Sequence, residues 1–249
     1  MKIKHILKKI IIISIWLMIW QAASMMTGLE LLFASPVCVL KELLVLMGTG
    51  EFYIVIMHSF LRITCGFLLS FIIAVFLGCL AGRYQMVQDF LAPAIHLMKS
   101  LPVAACIIII LMWFGSAQVS MIVGGMVVIP IVYTSVVQGI HHLNRQMNEM
   151  ADVFHMNLAR RVRYIYFPQI YPYVESNCRV ALGMCWKAGV SAEVIGLAKY
   201  SIGSEMYYAK LYLLSADLFA WSIVVILLSM LFENVFLWIL RLLQRSLAK

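Results

Sequence analysis

The chain has 249 residues, 64% hydrophobic and 12% charged, with mean hydropathy +0.97 and formal net charge +8. That is more apolar surface than a soluble core of this size can hide, so a water-soluble enzyme, a disordered chain and a secreted disulfide scaffold are excluded. Long, nearly uncharged apolar runs recur without the short alternating segments a barrel needs, which leaves an all-α integral membrane protein. None of the six cysteines forms a CxxC pair, and most sit inside apolar runs as small hydrophobes, so no disulfide framework or zinc site is expected.

Six segments are long and apolar enough to predict transmembrane helices: about Ile6–Met26, Phe52–Ala81, Leu97–Phe114 (after a more polar lead-in from Tyr84), Val119–Ile140, Tyr173–Ala198 and Leu218–Leu240. The first resembles a signal peptide, with a basic start and small residues at Ala22, Ala23 and Ser24. Its apolar stretch is long for that, and an uncleaved span is expected. Lys2, Lys4, Lys8, Lys9, Arg83, Arg145, Arg160, Arg161, Arg163, Arg241, Arg245 and Lys249 fall on one side of such a topology, and only Lys41, Lys199 and Lys210 on the other. Twelve against three places both termini in the cytoplasm.

Small residues recur every four positions at Gly66, Ser70, Ala74, Gly78 and Gly82, with a shorter stripe at Ala188, Ala192 and Gly196. Such stripes let helix backbones approach closely in lipid, as static packing or as a sliding surface. Lys187 and Glu193 lie within the fifth span, where a charge costs about 2.5–3.5 kcal/mol on insertion scales and faces a cavity or a partner. Six residues apart, they sit about 120° from one another and are not natural partners. Lys187 reads as a salt-bridged, snorkelled or pore-lining group, and Glu193 as a hydrogen-bonded outer group or a gate. Arg179 is expected to snorkel or to pair with Glu175, four residues before it. His58 and His96 form no metal pattern.

The longest cytoplasmic loop, 141–172, is too orderly for a mere connector. Asn148, Glu149 and Asp152 predict the capped, acidic first turn of a short helix. A turn follows near Asn157, then Arg160, Arg161 and Arg163, and Pro168 limits the second helix. One reading is an amphipathic segment held on anionic lipid.

The same loop resembles the inner-membrane permease subunits of ABC importers. Their signature is Glu-Ala-Ala, three residues, Gly, nine residues, then Ile-x-Leu-Pro. Glu149, Ala151, Ile165 and Pro168 match it at the required spacing, while Met150, His155 and Phe167 depart from it. His155 in place of Gly removes the residue best able to turn left-handed, and Asn157 is expected to supply that turn instead. Pro93, Ser100-Leu101-Pro102, Trp113-Phe114-Gly115 and Ala192-Glu193-Val194-Ile195-Gly196 look like the subgroup that carries nitrate, sulfonates, taurine, bicarbonate or thiamine-pyrimidine precursors. The likeness covers roughly residues 50 to 240.

The resemblance implies a first helix and outer loop over 1–50, a permease core over 51–243 with a coupling loop at 141–172, and a tail over 244–249. It implies a multi-pass protein of the bacterial plasma membrane, working with a cytoplasmic ATPase dimer, a second permease copy and an external solute-binding protein. The cargo expected is a small anion, or otherwise a thiamine-pyrimidine precursor. No GxxxxGK[ST] is present, so ATP belongs to the partner; no cofactor, metal, nucleic-acid partner or catalytic residue is expected. Met150, Val153, Phe154 and Met156 would supply the buried ATPase contact and Glu149 with the arginines its polar rim. A membrane enzyme would need a cluster of acids, His or Cys at one face; only Glu149, Asp152 and His155 could pose as one. A passive channel would show no ATP-dependent uptake.

Overall fold

A computed structural model describes residues 2–27 and 33–247. All regular structure among these residues is helical. The elements are α1 Lys2–Thr27, α2 Pro36–Met47, α3 Gly50–Arg83, α4 Gln85–Ser100, α5 Val103–Phe114, α6 Val119–His141, α7 Arg145–Val153, α8 Leu158–Arg161, a π-helical turn Val162–Tyr166, α9 Phe167–Gly196, α10 Ile202–Leu211 and α11 Ser215–Leu247. The side chains of Lys2, Lys4 and Lys9, and all of Lys249, lie outside the described residues.

α6 is the central element, packed between α3 and α9. The small-residue stripe of α3 faces it. A Cβ on Gly66 would meet the Met121 carbonyl oxygen at 2.6 Å, and one on Gly82 would meet the Ile140 side chain at 2.5 Å. The stripe is therefore the seam of an intrasubunit helix pair. Ala188 and Ala192 likewise bury against Cys106, Ile107, Val119 and Val123 of α5 and α6. On the other side of α9, Phe60, Phe67, Trp186, Phe232 and Phe236 form an aromatic core joining α3, α9 and α11, with Phe67 and Phe236 edge-to-face at 4.9 Å.

By length and apolarity α3, α6 and α11 each qualify as spans, and a fourth is reached if α4 and α5 are one broken span. The third predicted span, Leu97–Phe114, is broken at Leu101-Pro102, where the chain bends by 105° between α4 and α5. Leu101 precedes Pro102 and is extended at φ −68°, ψ 131°, as a pre-proline residue prefers, and this stops α4. α9, the expected fifth span, is long enough at 30 residues but carries Glu175, Arg179, Lys187 and Glu193. Two short helices were not anticipated. α2 starts at Ser35, which caps the Cys38 N–H, with Pro36 at the first helical position; α10 starts at Ser201, which caps Ser204.

The expected Arg179–Glu175 pair does not form. Arg179 Nη1 binds Glu233 Oε1 at 2.9 Å, and Arg241 Nε binds Glu175 Oε1 at 2.9 Å. An i,i+4 pair contributes only about 0.3–0.5 kcal/mol, and α11, lying along α9, offers cross-helix partners instead. Two ion pairs thus bolt α9 to α11. Arg179→Glu is expected to lower Tm by several degrees, and adding Glu233→Arg to recover most of the loss; a thermal melt of the three variants in lipid checks this. Equal Tm values for single and double variants would show that the pair does not bind the two helices.

Candidate functional site: the α7–α9 corner

In the loop between α6 and α9, the first helix, α7, begins one turn earlier than expected. Asn144, not Asn148, is the N-cap: its Oδ1 accepts from the Gln146 N–H at 2.9 Å. Asn148 lies inside α7, and Glu149 pairs with Arg145 at 2.9 Å on the solvent side. At the other end the Met156 N–H bonds to the Ala151 carbonyl at 2.9 Å and the His155 N–H to the Asp152 carbonyl at 3.1 Å. These nested bonds close a helix with a left-handed residue just beyond it. That residue is His155, at φ 48°. Asn157 does not take this role; it sits at φ −68° and caps α8 by accepting from the Arg160 N–H. The two helix-closing bonds fix the turn one position past the C-cap Phe154, where glycine is usual. Histidine tolerates the left-handed region better than most residues, at a cost of about 1–2 kcal/mol.

Pro168 does not end the helix before it. The π-helical turn 162–166 leads directly into α9, and Pro168 stands inside this continuous helical run, just past the π-turn. α9 therefore begins at Phe167, ahead of the expected Tyr173.

The candidate residues divide into two groups. Ala151 and Ile165 are buried inside the corner. Glu149, Met150, Val153, Phe154, His155 and Pro168 are exposed, and Met156 is half-buried. Val153 is 75% exposed, Phe154 72% and Met150 43%, and Leu158 adds to this apolar tip.

Two side chains that the sequence reading did not single out hold α7. Gln169 Oε1 accepts from the Asn144 N–H at 2.8 Å, and Gln169 Nε2 approaches Met147 Sδ at 3.3 Å. Arg161, read only as part of a basic rim, donates from Nε to the Met156 carbonyl at 3.0 Å and from Nη2 to the Ala151 carbonyl at 3.3 Å, and pairs with Asp152. Its position, one helix after the turn, was the only available signal.

Lys187 and Glu193, the two candidate pore or gate charges of α9, differ in environment. Glu193 is fully buried; its Oε2 accepts from Ser59 Oγ at 2.7 Å and from the Gly203 N–H at 3.4 Å. Ser59 Oγ in turn accepts from the Ile202 N–H at 2.8 Å, so α10 has its first amides held by α3 and α9. Lys187 is exposed, and among the described residues it makes no ion pair or hydrogen bond. It shares the exposed face of α9 with Ser191 and Ser176. No cluster of three His, Cys, Asp or Glu suited to a metal occurs among the described residues.

The family model of the binding-protein-dependent transport system inner membrane component matches residues 71–249. The chain belongs to this family. The permease is similar to the aliphatic sulfonates transport permease SsuC of Bacillus subtilis, at 24% identity over 98% of this chain and 87% of that one. It is also similar to the nitrate import permease NrtB of Synechococcus elongatus, at 27% identity over 78% of this chain and 73% of that one. A crystal structure of an amino acid ABC transporter aligns over 77% of this chain and 90% of its own, at 19% identity and TM-score 0.49. The permease is thus a multi-pass inner-membrane subunit of an ABC importer, a transport subunit and not an enzyme. Importers of this family work with an ATPase and a binding protein.

Proposed function

We propose that two copies of this permease form the pore of an importer for a small anion, such as nitrate or a sulfonate, and that α7 is the helix that docks in a groove of the ATPase. The observation that carries the docking is the exposed apolar tip that Met150, Val153 and Phe154 form at the end of α7, a short helix held at both ends, with Leu158 beside it at the start of α8. Solvent-facing apolar groups grouped on a held helix fit an interface core, with Glu149 and Arg145 as its polar rim. One chain presents one such helix, two ATPases must be gripped, and closed two-fold symmetry makes a second copy the partner. On this reading all six segments span the membrane and both termini are cytoplasmic. Mass measurement of the purified complex tests the pairing; a single permease per two ATPases, active in uptake, contradicts it.

The anion rests on Lys187 and on the printed names of the relatives. An ammonium exposed on a helix face in a membrane protein, without a partner among the described residues, faces either lipid headgroups or an aqueous route. Ser191 and Ser176 on the same face suit a route. Lys187→Met keeps length and removes charge. Uptake of nitrate or taurine is expected to fall about tenfold, equivalent to about 1.4 kcal/mol, with assembly and basal ATP hydrolysis unchanged. Assembly falling in parallel would make Lys187 structural, and no change in either would make it a snorkelling residue.

A further inference from the structure

Helical backbone runs unbroken from Leu158 through the π-turn into α9 as far as Gly196. Both side chains that grip α7 stand on this one rod. Gln169 takes the first amide side of α7, at Asn144, and Arg161 takes its carbonyl end at Ala151 and the turn just beyond it at Met156. We propose that Arg161 is a positioning residue that clamps α7 to the α9 rod, and that this chain requires it because His155 occupies the left-handed position.

The chemistry at the carbonyl end supports both halves of the proposal. The last carbonyls of a helix lack intrahelical donors and carry partial negative charge, so a cation is favoured there. Arg161 supplies a planar fork that meets two carbonyls from two nitrogens and still reaches the Asp152 carboxylate. A lysine, with one compact ammionium group, cannot span them. The Arg161 side chain is 22% exposed, against 91% for Arg145 on the same loop, so it is tucked against the turn and not solvated like an ordinary rim charge. The two carbonyls it holds flank His155: Ala151 also receives the Met156 amide, and Met156 follows His155 directly. The clamp therefore closes over the one left-handed residue of the loop. Glycine there would hold the turn without strain. A tip held at both ends of α7 moves with α9, which carries Lys187, whereas one held only at Asn144 could pivot.

The role in coupling rests on the docking of α7 proposed above, and the test keeps the two apart. Amide hydrogen exchange is measured on the full permease in lipid nanodiscs, and affinity for the ATPase on the assembled complex. In Arg161→Gln the His155 and Met156 amides are expected to exchange about tenfold faster, as the loss of charge-assisted hydrogen bonds produces. ATPase affinity should fall by a similar factor. Arg161→Lys should not restore either. His155→Gly in the Arg161→Gln background should recover most of both, because the turn no longer needs the clamp. Unchanged exchange in Arg161→Gln, or no recovery with glycine, overturns the proposal. Phe154→Asp should lower affinity and leave exchange as it was; normal affinity there would defeat the docking reading alone, while the exchange results would still decide the clamp.

Discussion

Replacing Phe154 with Asp is expected to abolish ATP-driven uptake while the permease still folds and inserts. In the free permease the side chain at this position is 72% exposed, so a carboxylate there stays solvated and costs little. In the docked state the same carboxylate is pressed into a desolvated contact. An unpaired polar group at the centre of an interface costs about 2–4 kcal/mol, which is about a thirtyfold to thousandfold loss of affinity. Phe154 is also the C-cap of α7, where negative charge opposes the helix dipole by a few tenths of a kcal/mol. Phe154→Lys separates the effects: it suits the dipole yet still charges the contact, and it should be as defective as Phe154→Asp. Met150→Asp should follow in the same direction with a smaller effect, since Met150 is less exposed. Uptake assays with co-purification of the ATPase decide the matter. Normal uptake with an intact complex in the Phe154 and Met150 variants would remove α7 from its proposed role.

Much of this corner was legible because its signal is local. Glu149, Ala151, Ile165 and Pro168 fall at fixed spacing along one short stretch, and the resemblance they carry points to the apolar residues between them. Met150, Val153 and Phe154 are exposed there. The short helix α7 and a turn before Asn157 were readable from the polar residues, but the second helix is not short: it continues past Pro168 into α9. Left-handed geometry was not readable, because it is set by bonds that the chain makes around His155 and not by His155 itself. Partners that come from elsewhere in the chain were also hidden. Arg179 has a well-spaced acid at Glu175, yet Glu233 takes it, because helix rotation against α11 determines which charge is within reach. The bend at Leu101-Pro102 was marked by its proline, but the angle depends on how α5 packs against α6 and α9. α2 and α10 begin at ordinary capping signals, Ser35-Pro36 and Ser201, but at 12 and 10 residues they are too short to show as apolar spans.

At the far end of α9, Gly203→Ala is expected to disrupt the junction between α9 and α10. A Cβ there would lie 2.3 Å from Glu193 Cβ, 2.4 Å from the Val194 nitrogen and 2.6 Å from the Glu193 carbonyl carbon. Two of these are backbone atoms and cannot step aside by a change of rotamer, so α10 must move. Moving it breaks the Gly203 N–H bond to Glu193 and the Ile202 N–H bond to Ser59 together. It also leaves a fully buried carboxylate with fewer donors. Overpacking against backbone costs about 1–3 kcal/mol and each buried group left unsatisfied about 1–3 kcal/mol more. At about 2–4 °C per kcal/mol for a chain of this size, Tm should fall by roughly 10 °C. Ser59→Ala removes only the hydroxyl that bridges α3, α9 and α10, and should cost about a third as much. Gly50→Ala is the control: nothing lies within 4 Å of a Cβ there, so its Tm should match the parent. If Gly203→Ala melts with Gly50→Ala, the backbone of α10 does not approach α9 this closely, and Glu193 must find its hydrogen bonds elsewhere.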